Sequence, residues 1–157
     1  IGLLICKLIK IKFNFLDVII FDRNKHKLNF APKNCKKFFL NNNKSKILNN
    51  FVGNFDYIID TTGSPKIISS LLYYAKNQAI ITLMGNISED IKFKKNEINL
   101  ILRKELKIVG IWNSNYNNLF QNDWNDIIKF FKKGLKPSKY ISHKIKLKEL
   151  PKYKLYN

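Results

Sequence analysis

The sequence predicts an α/β domain with a doubly wound, mostly parallel sheet. Short runs of β-branched residues alternate about four times with segments of helical apolar spacing, the pattern of strands joined by helical crossovers. Turn-forming residues follow the ends of several of these runs. The length of 157 residues is that of one domain. The 45% of apolar residues is enough to bury a core.

The first third of the chain is expected to contain a helix, a strand and a second helix. One apolar helical face predicts a helix over residues 1–11, and the β-branched run at residues 17–22 predicts a strand buried on both faces. A second helix is expected over residues 25–31 and should end at Pro32, which lacks a backbone N–H. Residues 36–54 are rich in Asn and Lys, so we expect a loop with at most one helical turn.

The middle of the chain contains a strand, a turn, a helix and another strand. The run at residues 55–60 predicts the strand, and residues 61–63 form the turn that follows it. Ser64 is suited to cap a helix and Pro65 to occupy its first position. An apolar stripe then continues the helix, and a further strand is expected over residues 79–84.

The last third predicts two more helices and two more strands. A helix over residues 97–104 leads into a strand over residues 106–112. Residues 123–133 place apolar side chains on one helical face, and Gly134 is expected to end that helix. A short strand is expected over residues 143–147.

The formal net charge of +18 raises the question of a polyanionic partner. Arginine, which contacts phosphate and guanine through two bonds at once, occurs only as Arg23 and Arg103. Lys, Asn and Ile are enriched together along the chain, which favours drift toward AT-rich codons over a selected surface. We expect no specific nucleic-acid partner. The alternative is a non-enzymatic basic α/β module that binds nucleic acid or another polyanion.

Other features argue against membrane and disulfide-rich classes. No apolar run approaches the roughly 18 residues of a membrane-spanning helix, so no membrane partner is expected. Cys6 and Cys35 are too few for a disulfide framework and belong to no CxxC pair. We therefore expect a soluble, cytoplasmic protein. Ile1 follows neither an initiator Met nor a signal peptide, so we also expect the chain to begin inside a domain.

Ligands of open parallel sheets bind beyond the carboxyl ends of the strands. In this sequence those positions are Asp22 and residues 60–63, 84–86 and 111–113. Asp22 lies 20 residues after Gly2, the separation expected between a phosphate-binding glycine turn and the carboxylate that binds an adenosine ribose. Such a carboxylate also favours NAD over NADP. An Asp at the end of a buried strand is equally explained as a turn residue.

Three segments occur in the order and spacing of one enzyme family. Residues 56–65 read DYIIDTTGSP, residues 80–85 read IITLMG, and residues 102–114 read LRKELKIVGIWNS. Together with Pro137 and the segment at residues 141–150, they resemble the medium-chain, zinc-type alcohol and polyol dehydrogenases. The third segment is most similar to the galactitol-1-phosphate and sorbitol dehydrogenase branch. A methyltransferase-like nucleotide fold also places an acid at a second strand end, but it lacks these segments.

The resemblance implies a partial, Rossmann-like NAD-binding domain over residues 1–157, with its first strand and leading glycines missing. It implies that Gly2 is the last glycine of the pyrophosphate turn, that Asp22 binds the adenosine ribose, and that Arg23 lies along the adenine. Residues 61–63 would line the cleft, and backbone groups further along would face the nicotinamide carboxamide. The implied cofactor-binding residues are Gly2, Asp22, Arg23, Thr61, Thr62, Gly63, Met84, Gly85, Ile111 and Asn113.

The resemblance also implies what the rest of the enzyme supplies. The family carries its zinc ligands in an N-terminal catalytic domain, which we expect to be absent from this chain. The chain would then be the dinucleotide-binding part of an NAD-dependent enzyme that oxidises a polyol, a sugar-alcohol phosphate or an alcohol, inactive alone and without catalytic residues. The strand at residues 106–112 is expected to join two subunits in a homo-oligomer.

We predict that the chain holds no metal of its own, because His26, His143, Cys6 and Cys35 do not have the spacing of a metal site. Metal analysis of the purified, chelator-treated chain should find no stoichiometric zinc. One tightly held zinc ion per chain would contradict the prediction.

Overall fold

The computed structural model describes residues 1–41, 44–114, 116–117, 121–141 and 143–152. Helices and strands alternate along most of this length. The helices are α1 (Gly2–Lys12), α2 (Lys25–Leu28), α3 (Lys44–Asn49), α4 (Pro65–Tyr74), α5 (Lys95–Arg103) and α6 (Asp123–Lys132). The strands are β1 (Ile19–Asp22), β2 (Lys36–Phe39), β3 (Phe55–Asp60), β4 (Ala75–Leu83), β5 (Lys107–Gly110), β6 (Tyr116–Asn117) and β7 (Gln121–Asn122). Two 3-10 helices follow at Pro137–Tyr140 and Leu147–Lys152.

The larger strands pair in parallel, which confirms the predicted α/β class. β1 pairs with β2, with Ile19 opposite Lys36, and a three-stranded sheet has the order β3-β4-β5. β6 and β7 form a small antiparallel pair. The orders β2-β1 and β3-β4-β5 correspond to strands 3-2 and 4-5-6 of a doubly wound sheet. Among the described strands, none pairs with both β1 and β3 to join the two sheets.

A cluster of phenylalanine rings joins the two parallel sheets. Phe21 of β1 contacts Phe38 of β2, Phe51 of the turn after α3 and Phe55 of β3, with ring centroids 5.3 to 6.1 Å apart. Phe51 also contacts Phe38 and Phe55. Such aromatic pairs each contribute about 0.5–1.5 kcal/mol beyond their buried area. The cluster therefore holds β1 against β3 without hydrogen bonds between these strands.

The main core lies between α4, β4 and the start of β5. Leu72 of α4 packs with Ala75, Ala79 and Ile81 of β4, and Leu106 closes the cluster. The small alanines allow the helix to end directly on the strand that follows it. This packing fixes the start and middle of β4 against α4 and the start of β5.

Lys104 joins α5 to the end of α4. Its Nζ donates hydrogen bonds to the carbonyl oxygens of Leu72, Tyr73 and Ala75 at 3.1, 3.3 and 2.7 Å. A cation there satisfies carbonyls that the helix end leaves unpaired. Desolvation lowers the pKa of Lys104. Lys104, which follows Arg103 in the segment at residues 102–114, thus caps the end of α4.

Two predictions about secondary structure are wrong. Residues 36–54 contain β2 and α3 rather than mainly loop, because two phenylalanines and parallel pairing with β1 stabilise a strand that its lysines conceal. The strand expected over residues 143–147 does not form. Instead, the Glu149 side chain accepts a hydrogen bond from the Lys146 N–H at 3.0 Å, and a 3-10 helix begins at Leu147. Ser142, just before this stretch, lies outside the described residues.

Several element boundaries also differ. α2 ends at Leu28 rather than at residue 31, and β4 begins at Ala75, before the predicted start at residue 79. β5 is shorter than predicted because Leu106 is buried in the core and the chain leaves the ladder after Gly110. The apolar face of α6 is present but exposed, including Trp124. No helix among the described residues has the length and apolar character needed to cross a membrane.

We predict that burial sets the cost of truncating leucine in this fold. Leu72 is 1% exposed, whereas Leu102 is 70% exposed. Leu72→Ala should lower the free energy of unfolding by about 2–5 kcal/mol, and the control Leu102→Ala by about 0.5 kcal/mol or less. Urea unfolding of both variants measures the difference. Equal losses would show that α4 does not pack on β4 as described.

Candidate functional site

Asp60 organises the turn at the carboxyl end of β3. Its buried carboxylate accepts hydrogen bonds through both oxygens. Oδ1 accepts from the Thr62 N–H at 3.1 Å and from the Thr62 hydroxyl at 2.6 Å, and Oδ2 accepts from the Gly63 N–H at 2.9 Å. An Asp side chain that binds the backbone two and three residues later stabilises a tight turn. The chain therefore bends sharply where β3 ends.

The same residue ties β3 to the end of β4. The Asp60 carbonyl accepts hydrogen bonds from the N–H groups of Met84 and Gly85 at 2.9 and 3.3 Å. Two backbone segments, Thr62–Gly63 and Met84–Gly85, are thereby held side by side. We call Asp60 together with these two segments the Asp60 clamp.

Glycine is required where the two segments of the clamp meet. A Cβ on Gly63 would lie 1.7 Å from the Asn86 carbonyl oxygen, and Gly63 has a φ of +64°. A Cβ on Gly85 would lie 2.2 Å from the Gly63 nitrogen. Both clashes involve backbone atoms, which have little room to move. Glycine at both positions thus lets the two segments pack backbone against backbone at the carboxyl edge of the sheet.

The start of α1 reaches the same edge. A Cβ on Gly2 would lie 3.4 Å from Thr61 Oγ1, so the first turn of α1 stands beside the turn after β3. This first turn has no acidic residue, and the amino end of a helix attracts anions through its free N–H groups. In the sequence, three strands, β1 to β3, separate Gly2 from Thr61. The fold brings them together.

Ile111 also lies at this edge, at the end of the β4–β5 ladder. Its N–H donates a hydrogen bond to the Leu83 carbonyl at 3.0 Å, one residue before the clamp segment begins at Met84. Asn113 follows two residues later and is exposed. The structure therefore brings together most of the predicted site residues, namely Gly2, Thr61, Thr62, Gly63, Met84, Gly85 and Ile111.

Asp22 and Arg23 stand apart from this group, on the other parallel sheet. Asp22 ends β1, where its Oδ1 accepts a hydrogen bond from the Asn24 N–H at 2.8 Å. Asn24 in turn caps α2 by accepting from the Lys27 N–H. Arg23 is exposed. These contacts fit the turn-residue interpretation of Asp22 and leave the ribose-binding role as a prediction.

Asp60 is the residue that the sequence interpretation left out of the site. The sequence places it at a strand end, yet the resemblance implies a place in the cofactor cleft only for the three residues that follow it. The signal was present as an Asp two residues before a hydroxyl residue and three before a glycine, the spacing of a side-chain-capped turn.

The two cysteines do not form a reactive or metal-binding site with their neighbours. Burial raises the pKa of the Cys6 thiol to about 11, with nearby Cys35 adding to the effect, and burial also raises the pKa of Cys35. Both thiols are free and belong to the apolar cluster around Ile20. Within the described part of the chain, no three His, Cys, Asp or Glu side chains converge as metal ligands. These residues therefore do not fit a zinc ion.

Comparison with known families decides what this arrangement belongs to. The family model described as "Zinc-binding dehydrogenase" matches residues 1–133. The chain belongs to the zinc-binding dehydrogenase family. This membership does not favour the alternative of a basic nucleic-acid-binding module. A search of curated proteins found no significant match.

Solved dehydrogenases share the fold. A short chain alcohol dehydrogenase from E. coli CFT073, in complex with NADH, is 24% identical with a TM-score of 0.71, covering 96% of this chain and 43% of its own. Galactitol-1-phosphate dehydrogenase from Escherichia coli is 20% identical with a TM-score of 0.65, and the match covers 85% of this chain and 40% of that structure. L-idonate 5-dehydrogenase from Escherichia coli is 16% identical with a TM-score of 0.69, and the match covers 88% of this chain and 38% of that structure. The chain thus spans about two-fifths of these structures.

We predict that Gly85→Ala disrupts the clamp. Its Cβ would meet the Gly63 backbone, whereas a Cβ on Gly110 meets nothing within 4 Å. Gly85→Ala should lower the free energy of unfolding by at least about 1–3 kcal/mol, and Gly110→Ala should cost less than that. Thermal and urea unfolding of both variants measure the contrast. A Gly85→Ala protein as stable as the Gly110→Ala control would rule out the close approach of the two segments.

Proposed function

We propose that this chain binds NAD as the dinucleotide-binding part of a zinc-type dehydrogenase. The observation that carries the proposal is the Asp60 clamp at the carboxyl edge of the sheet, beside the first turn of α1. Ligands of open parallel sheets bind at that edge, and the adjacent helix end is suited to a pyrophosphate. The NADH complex of the E. coli CFT073 enzyme, which covers 96% of this chain, supports the same reading.

Each part of the cofactor has a proposed place. Gly2 and the first turn of α1 would receive the pyrophosphate, Asp22 would accept the adenosine ribose hydroxyls, and Arg23 would lie along the adenine. Residues 61–63 would line the cleft. Backbone groups of Met84, Gly85, Ile111 and Asn113 would orient the nicotinamide carboxamide. When bound, the nicotinamide supplies hydride transfer, and the residues of this chain bind and orient it.

The remaining chemistry is proposed to lie outside these residues. Residues 1–157 would be a partial Rossmann-like domain, paired in the whole enzyme with a catalytic domain that carries the zinc ligands. The substrate would be a polyol, a sugar-alcohol phosphate or an alcohol, and this chain alone would not turn it over. We propose a cytoplasmic location, where the free thiols of Cys6 and Cys35 would stay reduced.

We predict that the chain binds NADH in preference to NADPH and that Asp22 sets this preference. Asp22→Asn keeps the oxygen that accepts from Asn24 but removes the charge. It should lower the NADH-to-NADPH affinity ratio by about tenfold, since hydrogen bonds to charged groups are worth about 1.5–3 kcal/mol. Asp17→Asn, which changes an exposed acid just before β1, is the control.

Fluorescence titration of NADH and NADPH measures both affinities. Absence of saturable NADH binding to the wild-type chain would contradict the proposed function. An unchanged ratio in Asp22→Asn would contradict the role of Asp22 alone.

We further propose that β5 joins two copies of the chain. Among the described residues β5 pairs only with β4, so its other edge is open. Ile108 and Val109 are 42% and 43% exposed, and Trp112 is 75% exposed. An open and apolar edge favours pairing with a second copy.

We predict that Val109→Lys shifts a wild-type dimer toward monomer. The matched control is Val52→Lys, which adds the same charge at an exposed turn position. Sedimentation at about 0.15 M salt, where the ~8 Å screening length weakens repulsion between basic chains, measures the species. A wild-type chain that is monomeric at every concentration would refute pairing through β5.

A further inference from the structure

We propose that Asp60 is a positioning residue that sets the affinity for the nicotinamide half of the cofactor specifically. The inference rests on the proposed NAD-binding function and adds a residue and a division of labour to it. Asp60 would not touch the cofactor. It would act through the two backbone segments that its carboxylate and carbonyl hold.

Both carboxylate oxygens are committed to the turn after β3. Three donors reach them, and all three belong to Thr62 or Gly63. Asn has the same shape as Asp but offers one acceptor oxygen and an NH₂ group. In Asp60→Asn, whichever way the amide is turned, a donor of the turn faces another donor. The turn must then open or rotate to find a new partner.

Opening of that turn is transmitted to the Met84–Gly85 segment. The Gly63 nitrogen lies where a Cβ on Gly85 would come within 2.2 Å, so the two segments cannot move independently. The Met84 and Gly85 N–H groups are also bonded to the Asp60 carbonyl. The backbone proposed to orient the nicotinamide therefore depends on the Asp60 carboxylate through Gly63, which that carboxylate holds against Gly85.

The groups proposed to hold the adenosine half do not depend on it in this way. Asp22 lies on the other parallel sheet, in local hydrogen bonds with Asn24 and Leu40. Gly2 belongs to α1 and meets the clamp region through the Thr61 side chain. Loss of the Asp60 bonds should thus weaken one half of the cofactor site and leave the other half intact.

Comparison of NADH with ADP-ribose tests this division directly. The two ligands share the adenosine, the pyrophosphate and the second ribose, so removing a negative charge near the pyrophosphate changes both affinities alike. Their ratio isolates the nicotinamide. A purely structural role of Asp60 would lower both affinities by the same factor.

The experiment measures both dissociation constants by calorimetry for the wild-type chain, Asp60→Asn and Asp56→Asn. Asp56 lies on the same strand but is exposed at its other end, bound to Lys76 at 2.9 Å. Asp60→Asn is expected to lower NADH affinity about tenfold, equivalent to 1.4 kcal/mol, with ADP-ribose affinity within twofold of wild type. Asp56→Asn should change neither.

The outcomes separate this inference from the proposed function. Failure of the wild-type chain to bind NADH would overturn both. Wild-type binding of NADH with an unchanged NADH-to-ADP-ribose ratio in Asp60→Asn would overturn the positioning role and leave the proposed function standing.

A second pair of variants keeps the test open if Asp60→Asn does not fold. Thr62→Val removes the hydroxyl bonds of Thr62, including the 2.6 Å bond to Asp60, and Thr62→Ser restores the hydroxyl. The affinity ratio should fall in Thr62→Val and return in Thr62→Ser. A ratio that stays at the wild-type value in Thr62→Val would overturn the inference.

Discussion

A carboxylate can be buried only where hydrogen-bond donors replace the water it loses, and Asp60 satisfies that condition by bending the chain back on itself. The donors belong to Thr62 and Gly63, two and three residues later, so the turn after β3 has little conformational freedom. The Asp60 carbonyl then fastens the end of β4 to the same point. Glycine follows as a requirement at positions 63 and 85, because neither segment leaves space for a Cβ. The carboxyl edge of the sheet is built outward from this one residue.

A site made of backbone explains how the chain combines a specific fold with a composition rich in Lys, Ile and Asn. The clamp needs one acid, one hydroxyl and two glycines, and the remaining positions contribute main-chain groups. The hydrophobic core also needs few large side chains, and among the described residues its fully buried large ones are Leu72 and Ile81. Lysines can then accumulate on exposed positions without entering the site. The family match over residues 1–133 is consistent with a fold that is kept while lysines are frequent at exposed positions.

The sequence predicted those parts of the fold whose signals are local and strong. β3 matched its predicted bounds, since its β-branched run ends in an acid and a turn. β2 escaped prediction because a four-residue strand of two lysines and two phenylalanines gains its stability from β1 and the phenylalanine cluster. The sequence predicts a strand over residues 143–147, but no strand pairs with it among the described residues, and Glu149 stabilises a helical turn instead. In both segments, the presence or absence of a neighbouring strand decided whether a strand formed.

The sequence predicts which strand ends form the candidate site, but not how the hydrogen bonds of Asp60 hold them together. Chain topology alone assigned the ends of β3, β4 and β5 to one edge, and the structure brings those residues together. The role of Asp60 is missed when its spacing to Thr62 and Gly63, which marks a side-chain-capped turn, is left unused and only the residues after it are assigned to the cleft.

Amide hydrogen exchange of the ligand-free chain tests the Asp60 turn most directly. The Thr62 and Gly63 amides should be protected as strongly as amides inside the β3–β4 ladder. Exchange at the rate of unprotected peptide amides would contradict the hydrogen bonds that the Asp60 carboxylate makes to this turn.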